Sequence, residues 1–217
     1  MRLDREKDAL VVVDVQHDFL PGGALAVAGG DAIVAPIAAL APRFATVVAT
    51  QDWHPAGHVS FASAHPGRAP YQSVELPQGP QELWPDHCVQ GSRGAALHPG
   101  LPDAAISLVL RKGTRGDVDS YSAFRENVGP DGRRPTTGLG AWLAARGVRR
   151  VFVCGLARDF CVRASAVDAA AEGFEAVVLD DLTRAVFPDR RAETDALLAR
   201  AGVRLASSVE LERPARA

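Results

Sequence analysis

Short apolar runs alternate with longer stretches of helical period along this chain. Residues 9–15 (ALVVVDV), 45–51 (ATVVATQ), 104–111 (AAISLVLR), 150–155 (RVFVCG), 174–179 (FEAVVL) and 203–206 are rich in Val, Leu and Ile. They are near-continuous runs, not in-out alternations, which is the pattern of strands in a parallel sheet covered on both faces. Between them, residues 31–43, 136–146, 159–172 and 189–201 carry helical period, several opened by Asp or Thr, with Gly147, Gly173 and Gly202 following three of them. Strand then helix, repeated, predicts an α/β fold: a doubly wound three-layer sandwich with a mainly parallel six-stranded sheet and helices on both faces. There are no internal repeats and no linker dense in Pro, Gly or Ser, so residues 1–217 are expected to form one domain. Residues 52–103 break the pattern, being long, rich in Pro and His, and without clear period. Loops of that length inside a compact domain usually carry function.

In open α/β sheets, ligands bind outside the carboxyl ends of the strands. Four predicted strand ends carry reactive residues: Asp14 in VVVDVQHDF, Asp52 and His54 in TQDWHPAGH, Lys112 in LRKGT, and Cys161 in VCGLARDFC. A doubly wound sheet can bring these ends together. Cys161 is placed at the start of a helix, where free backbone N–H groups and the helix dipole favour a thiolate and could hold an oxyanion. Cys154, inside an apolar strand, fits a small buried hydrophobe, and Cys88 next to His87 is read as structural. Asp14 interrupts a run of valines and needs a partner or a task. Lys112 can be that partner, either as half of a structural ion pair or as the cation that keeps Asp14 and a thiolate charged. Of the 24 basic residues only two, Lys7 and Lys112, are lysines, which invites the question whether position 112 needs an amine that its surroundings can tune.

Asp52 and His54, with His58 and His87 nearby in sequence, offer carboxylate and imidazole ligands suited to Zn²⁺, Fe²⁺ or Mn²⁺. The D-x-H spacing alone carries little weight in a chain with six histidines. His17, His65 and His98 read as loop or surface residues. Phe19 and the tryptophans of DWH and LWP could wall an aromatic ligand or simply fill the core.

Composition narrows the partners. With 47% hydrophobic and 23% charged residues the chain suits a globular domain. A net charge of −2 and a pI near 6.3 give no general attraction to nucleic acid. The longest apolar stretch, 32–41, contains a proline and falls short of the roughly 18 to 20 residues of a membrane helix. Residues 1–8 are charged, with no signal-peptide core behind them, so a cytoplasmic location is expected. Three cysteines without a CxxC pair argue against a disulfide framework or an all-cysteine zinc site.

The blocks VVVDVQHDFLPGGAL (11–25), TQDWHPAGHVSFA (50–62), WPDHCVQGS (84–92), RKGTRGDVDSYSAF (111–124) and VCGLARDFCVRASAVDA (153–169) resemble the isochorismatase-like cysteine hydrolases. Within that superfamily, DWHPxxHxSF, WPxHCV and DSYSAF resemble the nicotinamidases, also called pyrazinamidases. The resemblance implies an amidase that converts nicotinamide to nicotinate and ammonia through a cysteine thioester, with a place in NAD salvage. It implies a catalytic triad of Asp14, Lys112 and Cys161 and a divalent metal, zinc first, on Asp52, His54 and His87. His58 is left beside the metal. It further implies that Phe19 and Trp84 bracket the pyridine ring with Leu156 beside it, and that a cis peptide between Leu156 and Ala157 orients the Ala157 and Cys161 N–H groups as an oxyanion hole. A small-molecule amide is the expected partner, with neither nucleic acid nor membrane, and a homo-oligomer the expected assembly. Two departures stand out: Arg158, where relatives have a smaller or uncharged residue, and Phe160, where Tyr or His is frequent. The rival expectations are an amidase for ureido or carbamoyl compounds, a metal-hydroxide hydrolase in which Cys161 is incidental, and a binding domain without activity.

Overall fold

The computed structural model describes residues 1–211. Strands β1 (Asp8–Val13), β2 (Thr46–Asp52), β5 (Leu108–Lys112), β6 (Arg150–Leu156), β7 (Glu175–Arg184) and β8 (Arg204–Ala206) form one sheet in the order β5-β2-β1-β6-β7-β8. Every pairing in it is parallel. The expected six-stranded sheet is therefore present. All six residues of β1 and all seven of β2 are buried, which is why these strands lack an in-out alternation. β5, at the sheet edge, does alternate, with Val109 and Arg111 exposed.

Successive residues of β1 point into two different cores. Leu10 and Val12 pack with Ile33, Ile37 and Phe44, on the side of helix α1 (Val34–Leu40). Ala9, Val11 and Val13 pack with Leu139 and Leu143 of α2 (Leu139–Ala145), Ala166 and Ala169 of α3 (Arg163–Ala171), and Leu198 of α4 (Arg191–Arg200). The two covers are unequal. The α1 face is completed by the long segment after β2, which contributes Trp84, Cys88, Ala95 and Leu101 to the same core.

Several boundaries differ from the sequence pattern. The expected helix at 31–43 is a 3₁₀ turn (Gly30–Ile33), α1, and a second 3₁₀ turn (Ala41–Arg43) containing Pro42, which has no N–H to extend an α-helix. The helix at 136–146 starts only at Leu139, after Gly138 at φ +88°. The start of the 104–111 run is a 3₁₀ turn (Asp103–Ala105). β7 runs five residues past Leu179 through polar DDLTR, with a register shift against β6 between Val153 and Gly155. Inside the 52–103 segment, β3 (Ser73–Leu76) and β4 (Gly79–Glu82) form a separate antiparallel hairpin. Among the described residues no helix is long and apolar enough to cross a membrane.

The chain leaves β1 toward β2 and β5 on one side, then returns to the other side of β1 with β6. Such a switch point opens a crevice at the carboxyl ends of the central strands.

Candidate active site

β1, β2, β5 and β6 each deliver one reactive side chain to this crevice. Asp14 follows β1 at φ +49°, Asp52 ends β2, Lys112 ends β5, and Cys161 lies on a π-helical turn (Arg158–Val162) that joins β6 to α3. Gly155 is required here: at φ +108°, a Cβ would lie 2.1 Å from the Val13 carbonyl oxygen, so only glycine lets β6 close on β1.

Lys112 is the hub. Its ammonium pairs with Asp14 Oδ2 at 2.8 Å and with Asp52 Oδ1, donates to the Ser120 carbonyl at 3.2 Å, and reaches Cys161 Sγ at 3.4 Å. Asp14 also accepts a hydrogen bond from the Thr50 hydroxyl at 2.5 Å. Asp14, Asp52 and Cys161 each offer an atom within 4.8 Å of the others. The sequence suggested one carboxylate for Lys112; the structure gives it two.

Burial sets the protonation of the cluster. It pushes the Asp14 carboxyl up to about 6, against the pull of Lys112 and with a further push from the Asp52 charge. At Asp52 burial acts upward too, but Lys112, His54 and His87 together hold the carboxyl below the usual range. Burial also pushes the Cys161 thiol well up, and Lys112 does not cancel it. Burial thus works against the thiolate expected at a helix start, and the thiol stands beside a carboxylate able to take its proton. Lys112 stays charged, because the two carboxylates outweigh its burial.

Asp52 faces two ways. While Oδ1 meets Lys112, Oδ2 lies 3.5 Å from His54 Nε2 and 4.0 Å from His87 Nε2. His54 Nδ1 hydrogen-bonds the Gly113 carbonyl at 2.9 Å, and His87 Nδ1 that of Pro85 at 2.8 Å. With each Nδ1 engaged by a carbonyl, each Nε2 is turned toward Asp52, the arrangement of histidines that ligate a metal. Burial, then the neighbouring His54, lower His87 to about 4 and keep its ring neutral, as a ligand must be. One carboxylate oxygen and two imidazoles suit zinc, iron or manganese. Gly113 belongs to this arrangement, since at φ +64° a Cβ there would lie 2.4 Å from the His54 ring. The His58 ring lies 4.2 Å from that of His54, tilted by 32°, but its Nδ1 meets Ser60 Oγ at 2.7 Å and its Nε2 the Val118 carbonyl at 3.1 Å. Both its nitrogens are engaged within the protein.

Cys161, Asp52 and His87 face a pocket walled by Phe19, Trp84, Phe160, Tyr121, Leu25, Val186, Ala157 and Asp119. Trp84 meets Phe160 edge-on at 4.8 Å, and Phe19 meets His87 edge-on at 5.5 Å. The peptide between Leu156 and Ala157 is cis. Leu156 itself is absent from these walls; its side chain is fully buried in the α1-side core, against Gly30. Arg158 is also turned away from the pocket, its buried guanidinium pairing with Asp180 and, at 2.6 Å, with Asp195. Leu25, Asp119, Tyr121 and Val186 line the pocket without having been marked by the sequence pattern. Asp119 and Tyr121 lie in the DSYSAF block, so their place beside Lys112 in the chain was the available signal.

Residues 8–208 match the isochorismatase domain family. The chain belongs to that family. Among isochorismatase relatives, it is 49% identical to the nicotinamidase of Acinetobacter baylyi over 178 residues, covering 82% of this chain and 81% of the relative. Its fold overlays PnC1 from L. infantum in complex with nicotinate with a TM-score of 0.86, at 43% identity over 98% of both chains. It overlays the pyrazinamidase of Pyrococcus horikoshii in complex with zinc with a TM-score of 0.74, at 34% identity over 93% of this chain and 99% of the other. The family and the cluster at the strand ends agree on hydrolysis: the chain is an amidohydrolase of this fold.

Proposed function

We propose that the protein hydrolyses nicotinamide to nicotinate and ammonia, with pyrazinamide as a second substrate. The observation that carries this reading is the Lys112 ammonium in contact with both the Asp14 carboxylate and the Cys161 sulfur, beside a pocket walled by aromatic rings.

Asp14 accepts the thiol proton as Cys161 sulfur attacks the carboxamide carbon, while Lys112 holds the negative charge whether it rests on oxygen or on sulfur. The N–H groups of Ala157 and Cys161 receive the developing oxyanion. Protonated Asp14 returns its proton to the leaving nitrogen, ammonia departs, and an acyl thioester remains on Cys161. Asp14 then takes a proton from water as the water oxygen adds to the thioester carbonyl. Collapse releases nicotinate and gives the proton back to sulfur. Phe19 and Trp84 hold the ring flat, so that the carboxamide meets sulfur in a reactive orientation. Asp52, His54 and His87 would hold the divalent ion, zinc by first choice, which supplies a Lewis-acid anchor for the pyridine nitrogen. Three free cysteines fit a cytoplasmic location, and a pI near 6.3 gives no general attraction to nucleic acid; a homo-oligomer acting within NAD salvage completes the proposal.

An ammonia-release assay on nicotinamide, pyrazinamide and a ureido compound tests the reading. Release from the two ring amides and none from the ureido compound is expected; preference for the ureido compound would replace it. Sensitivity to chelation without sensitivity to thiol alkylation would move the chemistry from Cys161 to a metal-bound hydroxide.

The pH profile follows from Asp14. As a base raised from 3.8 to about 6, it must be ionised in the free enzyme, so kcat/KM climbs through pH about 6 and levels above it. A profile already flat down to pH 4.5 would contradict a buried, raised base. The metal ligands give a different signature. His54→Ala should strip bound metal and raise the KM for nicotinamide together, by at least about tenfold, since even the outer partners of metal ligands are worth 10- to 100-fold. Elemental analysis beside steady-state kinetics checks the pair; full metal content with an unchanged KM would remove His54 from the site.

A further inference from the structure

Tyr71 is a bulky, non-glycine residue at φ +68°, and half of its side chain is in water. Such a conformation is costly for an aromatic residue and persists only where its surroundings impose it. The imposing contacts are a 2.6 Å hydrogen bond from the Tyr71 N–H to the Leu83 carbonyl and a 2.8 Å return bond from the Leu83 N–H to Gln72. They fix Tyr71 to the end of the β3–β4 hairpin, immediately before Trp84. The far side of the hairpin is tied by Gln81 to Asp119 at 2.9 Å and by Gln78 to the Asp117 carbonyl at 3.1 Å. The Tyr71 ring stands edge-on to Trp84 at 6.1 Å and to Phe187 at 6.1 Å.

Phe187 is fixed independently. Its N–H and that of Val186 donate to the two oxygens of Asp159, at 2.8 and 3.0 Å, and Asp159 sits in the turn that carries Cys161. The Arg190 guanidinium covers the Phe187 ring at 4.0 Å. Phe187 lies 6.0 Å from Phe160 and 6.5 Å from Trp84, two walls of the pocket, without lining the pocket itself.

From this second layer of rings we infer that Tyr71 and Phe187 form an outer aromatic collar around the Trp84 and Phe160 walls. The collar sets the size limit of the substrate ring by blocking substituents that project beyond those walls. The inference refines the amidase reading by naming a substrate class: small, unsubstituted heteroaromatic carboxamides enter, and ring-substituted ones are turned away.

The test uses the full-length protein as wild type, Tyr71→Gly, Phe187→Ala and Tyr71→Phe. Glycine suits the backbone at position 71, so Tyr71→Gly removes the ring and relieves the strain at once, and it keeps the test alive should Phe187→Ala fold poorly. The first readout needs no substrate: the rate at which bulky N-phenylmaleimide alkylates Cys161, divided by the rate for iodoacetamide and assigned by peptide mass. Cys88 and Cys154 are fully buried and sit outside the pocket. Tyr71→Gly and Phe187→Ala should raise this ratio about tenfold, the scale on which a pocket wall discriminates by size, while Tyr71→Phe leaves it unchanged. The second readout is kcat/KM for ring-substituted nicotinamides relative to nicotinamide, which should rise in the same two variants. A flat alkylation ratio across all four proteins overturns the collar even where nicotinamide is hydrolysed. A shifted ratio in a protein that releases no ammonia from nicotinamide keeps the collar and sinks the amidase reading.

Discussion

Cys161→Ala is expected to lose ammonia release from nicotinamide by about 10⁴-fold or more, the scale of removing a nucleophile that acts as one unit with its base. Binding should survive. Deleting Sγ takes one contact from Lys112 but leaves its pairings with Asp14, Asp52 and the Ser120 carbonyl, so the floor of the site keeps its charge balance. The walls supplied by Phe19, Trp84 and Phe160 are untouched. Calorimetric titration with nicotinamide alongside the rate measurement separates the two effects. Substantial residual turnover would mean that the sulfur is not the nucleophile; loss of binding and turnover in parallel would mean that Cys161 chiefly shapes the pocket.

Lys112→Met carries the largest expected cost in stability. It removes the only cation that contacts Asp14 among the described residues and leaves two carboxylates buried together, 0% and 4% exposed. Breaking a buried pair by deleting one partner costs about 3–5 kcal/mol, because the remaining charge is stranded. Urea unfolding should show a lowered midpoint at an unchanged slope, along with loss of activity. The double variant Asp14→Asn/Lys112→Met tests the cause, since neutralising one carboxylate should recover part of the lost stability and none of the activity. A single variant as stable as wild type would show that the cluster is solvated or protonated in solution and stores no such strain.

The sheet was legible in the sequence because burial on both faces favours apolar runs without in-out alternation, and such Val-rich runs form β1, β2 and β6. Polar strands were not legible. The extension of β7 through DDLTR is held by pairing of Thr183 and Arg184 to β6 and by hydrogen bonds of Thr183, none of which leaves an apolar mark. The hairpin strands SVEL and GPQE lie on the surface and contain a proline, so nothing in them distinguishes strand from loop. In the site, residue types at strand ends located Asp14, Asp52, Lys112 and Cys161, whereas their energetics depended on depth. A thiol at the start of a helix suggests a thiolate until burial is known. Leu156 shows the same limit on a smaller scale: adjacency to the cis peptide drew it toward the substrate, but strand alternation turns its side chain into the core. The second pairing of Lys112, to Asp52, depended on β5 lying beside β2, which spacing along the chain does not reveal.

The sheet and the segments that leave its strand ends supply every reacting group, and the hairpin after β2 adds no strand to the sheet. Pro77 at the hairpin tip is exposed, so insertions or deletions there meet water and not the hydrolytic machinery. Descendants of this chain could thus be retargeted by remodelling a surface appendage, with the chemistry inherited intact beneath it.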